Sequence, residues 1–245
     1  MIKEFKQAHY RLNYRTINMN EYGVPQTRER VIIFGVPENS KQNIDKFFNE
    51  LAKRREESLT VGETFSDLPK IKAGQHSDKY QGIPSEFIKK NYRYIHDIPL
   101  TQNISRPNRP IDLEIYKQVV LAKQQGKNLK YNDLPKKLQM HKHTNIFLDR
   151  FKALSSDKPS HTVVAHIAKD GHHYIHPDIK QNRSITVREA ARLQGFPDDY
   201  FFETSRTQAF LQIGNAVPPI FSRKIADAIM NIPLTTPQFS SKKQG

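Results

Sequence analysis

Apolar side chains recur at helical spacing in two segments of the chain. The first segment, 111–126, places apolar residues near one face and ends at a glycine: Leu113, Tyr116, Val120 and Leu121, then Gly126. The second segment begins with two prolines at 218–219, which fit a first helical turn. Its apolar stripe, spaced at i, i+4 and i+8, consists of Phe221, Ile225 and Ile229. Both patterns predict helices that bury one face.

One short segment is continuously apolar rather than periodic. Val31 to Val36 is bounded by charged residues and by Pro37, which is typical of a strand buried on both faces, as in a parallel sheet. No series of alternating strands and helices surrounds it, so its sheet neighbours are expected to come from elsewhere. Residues 1–13 are predicted to belong to a helix, and residues 38–59 are predicted to be helical and strongly charged.

Turn and capping signals mark the second half of the chain. Residues 161–177 predict a β-hairpin that turns at 169–171. Thr186 and Glu189 form the pattern of a capping box, which predicts a helix over 187–194 that ends at Gly195. From local physics alone, we expect this helix to be solvated and well capped. A tight turn is predicted at residues 214–215, before the last helix.

Composition and charge narrow the classes of function. The 245 residues carry a formal net charge of +14, which favours a polyanionic partner such as nucleic acid, although a solvated basic surface is the simpler alternative. The chain has no cysteine, so it has no thiolate nucleophile, disulfide or cysteine-based zinc site. Apolar runs are too short to span a membrane and the charged start is unlike a secretory signal, so a cytoplasmic location is expected.

Histidines are the remaining candidates for metal ligands. Five lie close together in the sequence without regular ligand spacing: His161, His166, His172, His173 and His176. In the absence of cysteine, this pattern does not predict a metal site.

Three stretches, taken in order, resemble the last three signature motifs of the cytosine-C5 DNA methyltransferases. They are YGVPQTRERVIIFGV at 22–36, RSITVREAARLQGFPDDYFF at 183–202 and QIGNAVPPIFSRKIADAI at 212–229. The segment between the first two, 37–182, has the length and position of that family's variable target-recognition region.

The resemblance implies an α/β fold with two parts. The first is a partial S-adenosylmethionine-dependent, Rossmann-like methyltransferase domain, to which residues 1–36 and the returning helix at 205–231 would belong. The second is a mixed α+β target-recognition domain over residues 37–204. Residues 232–245 are expected to form a disordered tail.

The first motif carries the candidate catalytic residues. Gln26, Arg28 and Arg30 are spaced at i, i+2 and i+4, so on a strand they would point to one face. The resemblance implies that this face meets a cytosine flipped out of double-stranded DNA. Arg30 would hydrogen-bond the O2 oxygen of the base and favour negative charge developing on the ring during attack at C6, and Arg28 would support the site. An alternative for the arginines is a salt bridge through Glu29, which leaves Gln26 unexplained.

The other motifs carry candidate cofactor and DNA contacts. Asn215 and Ala216 match the final motif, which in the family lies beside S-adenosyl-L-methionine. The dipeptide that begins at Thr162 matches a Thr-Leu-like pair typical of the recognition regions. The residues that follow it, Val164 and His166, are therefore candidates for base contacts in the major groove.

The second motif, residues 183–202, which contains the capped helix, also has implied roles. Arg183 or Arg192 is expected to hold DNA backbone or phosphate, and Glu189 is expected to be structural.

The family's earlier motifs are absent from this sequence. It has no Phe-x-Gly-x-Gly cofactor loop, no Pro-Cys nucleophile and no Glu-Asn-Val. Covalent attack at C6 needs a thiolate, so the chain alone is not expected to methylate DNA. We interpret it as the C-terminal part of a DNA (cytosine-5-)-methyltransferase, of the kind found in restriction-modification systems, that works with an N-terminal catalytic half. The alternatives are a free-standing sequence-specific DNA-binding or regulatory protein, and a generic basic nucleic-acid binder.

Overall fold

The computed structural model describes residues 2–40, 43–95, 97–140, 146–203 and 205–232. Its helices and strands, numbered in chain order, are α1 Ile2–Gln7, β1 Tyr10–Asn18, β2 Gln26–Thr27, β3 Glu29–Pro37, α2 Ile44–Ala52, α3 Val61–Thr64, α4 Glu86–Asn91, α5 Pro110–Gln124, β4 Ser160–His161, α6 Val187–Leu193, α7 Arg206–Asn215 and α8 Pro219–Met230. Of the expected tail, 233–245 lies outside the described residues, and Ile232 is buried in the core.

Strands β1 and β3 form an antiparallel pair along their whole length, from Tyr10 opposite Pro37 to Asn18 opposite Glu29. The prediction of a strand buried on both faces was wrong for this part of the chain. One face packs on α2, where the Phe34 and Phe47 rings stack 4.3 Å apart. The opposite face is open, and Val31 there is 55% exposed.

The predicted helix over residues 1–13 ends early. It stops after Gln7, and His9 takes a left-handed φ of 58° before the chain enters β1. The apolar residue at position 12 and the aromatic residue at position 14 then follow the period of a strand rather than that of a helix.

The two ends of the chain share a core with its middle. We call the antiparallel pair of β1 and β3 the β1–β3 hairpin. One buried cluster combines side chains from the base of this hairpin with others from α2, α4 and α8, and it includes Tyr22, Phe48, Ile88 and Phe221. Ile225 and Ile229 pack against this cluster, which confirms the apolar stripe of α8. A second cluster joins α3, α6 and α7, and a third surrounds α5. The helix predicted there forms, but Leu121 of its predicted apolar face is 48% exposed.

Helix α6 has the predicted caps but not the expected exposure. The Thr186–Glu189 capping box is present, and Gly195, at a left-handed φ of 83°, follows the helix end. Every residue of α6 is buried, so the expectation of a solvated helix was wrong. The helix lies in the centre of the second cluster, where α3 and α7 cover it.

The predicted hairpin over 161–177 does not form. Strand β4 instead pairs in parallel with β2, with Gln26 opposite Ser160, and residues 165–168 form a 3₁₀ turn. Side chains rather than a partner strand take the backbone groups that follow β4. The tight turn predicted at 214–215 is also absent, since both residues end α7.

Candidate functional site

Gln26 and Arg28 turn into the protein, whereas Arg30 stays at its surface. Gln26 belongs to β2 and Arg30 to β3, with Arg28 between them, so the three do not share one strand face as predicted. Gln26 is 0% exposed and Arg28 is 5% exposed. The Arg30 side chain is exposed, and its Nη1 donates to the Glu29 carbonyl at 2.6 Å. Of the three, Arg30 is the residue placed to meet a ligand directly.

Arg28 faces backbone carbonyls from two distant segments. Its Nη1 donates to the Val163 carbonyl at 2.8 Å, and its Nη2 donates to those of Gly214 and Ala216 at 3.3 and 3.4 Å. Burial lowers the pKa of Arg28, and the nearby charge of Arg30 lowers it further. A buried cation whose hydrogen-bond partners are neutral leaves local positive potential, which favours negative charge on anything bound beside Arg30.

The recognition segment, residues 162–166, is fixed at its start and exposed further on. The Thr162 hydroxyl donates to the Thr27 carbonyl at 2.6 Å, and the Val164 N–H donates to the Tyr174 hydroxyl at 3.1 Å. Val164 is 40% exposed and His166 is exposed. The two predicted base-contact residues are therefore presented from a held backbone.

His173 is a neighbour of His166 that the sequence reasoning did not assign to this surface. Their ring centroids lie 5.9 Å apart. The signal in the sequence was the histidine cluster itself, whose members could not be sorted by position alone. Among the described residues, no group of three or more His, Cys, Asp or Glu side chains could hold a metal ion.

The end of α7 lies directly beneath the recognition segment. A Cβ added to Gly214 would fall 2.2 Å from the Ala165 nitrogen, so only glycine permits this approach. Asn215 is exposed at the helix end, and the Ala216 carbonyl accepts a hydrogen bond from Gln194 at 2.7 Å. The fold thus brings the predicted cofactor residues next to the predicted base-contact residues.

Arg183 and Arg192 do not hold a surface phosphate in this structure, and that prediction is corrected. Both are 0% exposed. Arg183 donates to both carboxylate oxygens of Glu189 at 2.7 Å, and Arg192 donates to both oxygens of Asp198 at 3.0 and 2.6 Å. Buried cations that are saturated by carboxylates stabilise the interior and are not available to DNA.

Glu189 has the structural role that was expected of it. It closes the cap of α6 and pairs with Arg183. Burial alone would raise the pKa of Glu189, but the Arg183 guanidinium lowers it to about 2. The carboxylate is therefore charged inside the protein.

Comparisons with known proteins give consistent matches along nearly the whole chain. The family model for C-5 cytosine-specific DNA methylases matches residues 1–231. The chain is 44% identical over 228 residues to type II methyltransferase M.Bpa9945I of Bacillus paralicheniformis, covering 88% of this chain and 50% of that protein. Type II methyltransferase M1.HphI of Haemophilus parahaemolyticus is 28% identical over 230 residues, covering 94% of this chain and 50% of that protein. The chain thus spans about half the length of these curated relatives.

Solved structures support the same fold. The crystal structure of a prophage-encoded E. coli protein assigned as a DNA modification methyltransferase matches with a TM-score of 0.64 and 22% identity. The match covers 94% of this chain and 63% of that one. Within the described segments, no helix has the length and apolar character needed to cross a bilayer.

Proposed function

Because the chain belongs to the C-5 cytosine-specific DNA methylase family, we propose that it carries target recognition for a type II DNA (cytosine-5-)-methyltransferase. It also contributes part of the cytosine and S-adenosylmethionine sites. The observation that carries this proposal is that the first and last motifs meet the recognition segment in one place. Arg28 joins the peptide of Val163 to the Gly214 and Ala216 carbonyls, while Arg30, His166 and Asn215 remain exposed around them.

In this proposal Arg30 acts on the flipped cytosine. Its exposed guanidinium donates hydrogen bonds to the base oxygen and stabilises negative charge that builds on the ring during attack at C6. Arg28 supports this from within, because its neutral partners leave its charge uncompensated. The attacking thiolate has to come from outside this sequence, which has no cysteine.

The cofactor contact is proposed at the end of α7. The exposed amide of Asn215 would contact S-adenosylmethionine, which supplies the methyl group when bound, and the backbone of Ala216 would line the pocket. The Ala216 carbonyl is already held by Gln194 and Arg28, so its position does not depend on the ligand.

The open face of the hairpin is proposed to pack against the N-terminal part of the catalytic domain. This face joins the exposed side of β1 and β3 to α1. It is lined by apolar and aromatic side chains: Ile2, Phe5, Leu12, Tyr14, Val31 and Ile33. A two-stranded sheet is marginally stable alone, and its outer edges can accept further strands. The relatives are about twice as long as this chain, which is consistent with such a portion.

Co-expression with a family N-terminal half, followed by a methylation assay, tests the proposal. The combined protein is expected to transfer labelled methyl groups to duplex DNA, and the purified chain is expected to transfer none. Arg30→Ala should lower turnover far more than it lowers DNA affinity, because its contact strengthens as charge builds on the base. Arg11→Ala, on the same hairpin but opposite Val36, is the matched control and should retain turnover. Methyl transfer by the chain alone, or full turnover in Arg30→Ala, would contradict the proposal.

A second candidate function is sequence-specific DNA binding without catalysis. The observation that favours it is the core shared by both chain ends and the middle, in which Tyr22 and Phe221 pack edge to face 5.3 Å apart. Both ends are therefore packed against other residues of the same chain, so this core does not require a second chain. A monodisperse chain that binds duplex DNA and ignores an N-terminal half in gel filtration would support this candidate over the enzyme.

A further inference from the structure

Two buried glutamine side chains connect the recognition segment to the end of α7. The Gln26 Oε1 accepts from the Val163 N–H at 2.8 Å, and the Gln26 Nε2 donates to the Gln194 Oε1 at 2.6 Å. The Gln194 Nε2 then donates to the Ala216 carbonyl at 2.7 Å. We name this chain of hydrogen bonds, from Val163 through Gln26 and Gln194 to Ala216, the amide bridge.

The direction of every hydrogen bond in the amide bridge is fixed by its two ends. An N–H at Val163 requires an acceptor, so the Gln26 oxygen must face it and the Gln26 nitrogen must face Gln194. The carbonyl at Ala216 requires a donor, which orients Gln194 in the same sense. Both side chains are 0% exposed, so water cannot replace a lost partner. The Gln26 Nε2 also donates to the Leu193 carbonyl at 2.7 Å, so neither amide can flip without breaking at least two hydrogen bonds.

A second connection runs beside the first. Arg28 joins the Val163 carbonyl to the Gly214 and Ala216 carbonyls. The backbone N–H of Val163 is thus held by Gln26, and its backbone carbonyl is held by Arg28. The absent side chain of Gly214 lets the backbone of Ala165 lie against α7. The segment that presents Val164 and the segment that presents Asn215 therefore form one packed unit, although they are about 50 residues apart in sequence.

We propose that Gln194 is a positioning residue that couples contact at the recognition segment to the cofactor segment. This inference rests on the proposed function, which gives the two segments their ligands. Displacement of Val163 on DNA binding changes the geometry of the Gln26 amide, and Gln194 transmits that change to Ala216. Coupling between two binding sites is reciprocal, so an occupied cofactor site would in turn favour one arrangement of the recognition segment.

Amide chemical shifts in the ¹⁵N-labelled full chain test the coupling without methyl transfer. The probe is a pool of random-sequence duplex DNA, and the reporters are the N–H groups of Val164 and Ala216. In the unsubstituted chain both signals should shift together during the titration. In Gln194→Met, which keeps the length of the side chain but removes its donor and acceptor, the Val164 shift should remain. The Ala216 shift should shrink to the part that the Arg28 connection still carries.

Two further variants separate coupling from a merely structural role. Gln194→Glu, measured at a pH where the carboxylate is ionised, still accepts from Gln26 but cannot donate to Ala216, and it should reduce the Ala216 shift as Gln194→Met does. Gln212→Met, at an exposed position of α7, is the matched control and should leave both shifts intact. A lower melting temperature alone, with both DNA-induced shifts preserved, would mean that Gln194 only stabilises the fold.

The outcomes distinguish the inference from the function on which it rests. A shift at Val164 without one at Ala216 in the unsubstituted chain would overturn the coupling and leave DNA recognition in place. An Ala216 shift that keeps its full size in Gln194→Met would overturn the role of Gln194. No shift at either reporter would overturn both the DNA site and the coupling that depends on it.

Discussion

Replacing Arg192 by methionine should destabilise the protein strongly without removing a contact to DNA. The guanidinium is 0% exposed and donates to Asp198, Asp67 and the Thr64 carbonyl. Burial alone would lower the pKa of Arg192, but the carboxylates of Asp198 and Asp67 raise it above its ordinary value. The side chain is therefore a charged part of the interior.

The expected loss in the free energy of unfolding depends on the hydrogen-bond partners that Asp67 and Asp198 retain without Arg192. Asp67 retains Arg93 at 3.0 Å, and Asp198 retains the Tyr80 hydroxyl at 2.9 Å, so neither is left without a partner. Breaking a buried ion pair from one side costs about 3–5 kcal/mol, and the remaining partners place the expected loss near the middle of that range. Against a total stability of roughly 5–15 kcal/mol, this lowers the melting temperature by on the order of 10 °C.

Urea unfolding followed by circular dichroism measures the loss, and filter binding at several salt concentrations measures the DNA contact. Arg223→Met, at an exposed position of α8, is the control and should change stability by less than about 0.5 kcal/mol. Below its melting temperature, Arg192→Met should keep the salt slope of the unsubstituted chain. A fully stable variant whose slope falls by about 0.9, the value of one phosphate contact, would refute the burial argument.

Three other substitutions test the surroundings of the site. Burial lowers the pKa of His176 from 6.5 to about 4. The neutral side chain therefore contributes its full stability above pH 6.5, and this contribution is lost as the pH falls from 6.5 to 4. In His176→Gln, the free energy of unfolding measured with urea should vary less with pH in that window. Gly214→Ala should cost about 1–3 kcal/mol and weaken DNA binding, because its Cβ would displace Ala165, and unchanged circular-dichroism melting and DNA affinity would contradict the close approach. His166→Ala should relax sequence preference in filter binding while keeping nonspecific affinity, whereas a uniform loss across sequences would make His166 a phosphate contact.

Signals that depend on neighbours in sequence predicted local structure well. The capping box of Thr186 and Glu189 and the glycine that follows α6 lie within ten residues of one another, and all three have their predicted roles. The stripe of α8 packs as expected for the same reason. In each case the signal itself lies within one helix or its caps, although the α8 stripe packs against residues from distant segments.

Burial of the arginines could not be predicted in this way. Arg192 looks like a surface residue of a solvated helix until Asp67, 125 positions earlier, is placed beside it. A carboxylate that distant gives no periodic signal, so the same spacing of arginines suits either a phosphate-binding face or a buried network. The prediction of a phosphate contact assumed the former, and the fold selects the latter.

The prediction of a hairpin at residues 161–177 was wrong for a related reason. The alternation of residues 161–177 is that of two paired strands. In the structure, however, the backbone N–H and carbonyl of Val163 bond to the side chains of Gln26 and Arg28, which lie more than 130 positions away. Once these groups are satisfied, a partner strand has nothing to bond there. Two of the three residues assigned to catalysis, Gln26 and Arg28, thus replace the predicted secondary structure.

The arginines of the motifs can be separated by the charge of their partners. Arg183 and Arg192 meet carboxylates, so their charge is neutralised and serves the core. Within the described part of the chain, the hydrogen-bond acceptors of Arg28 are carbonyls, so it holds two segments together and still contributes positive potential to its surroundings. Arg30 remains at the surface beside that potential. One residue type therefore serves as core support, connector and candidate base contact, and the difference lies in the distant groups that the fold brings to each guanidinium.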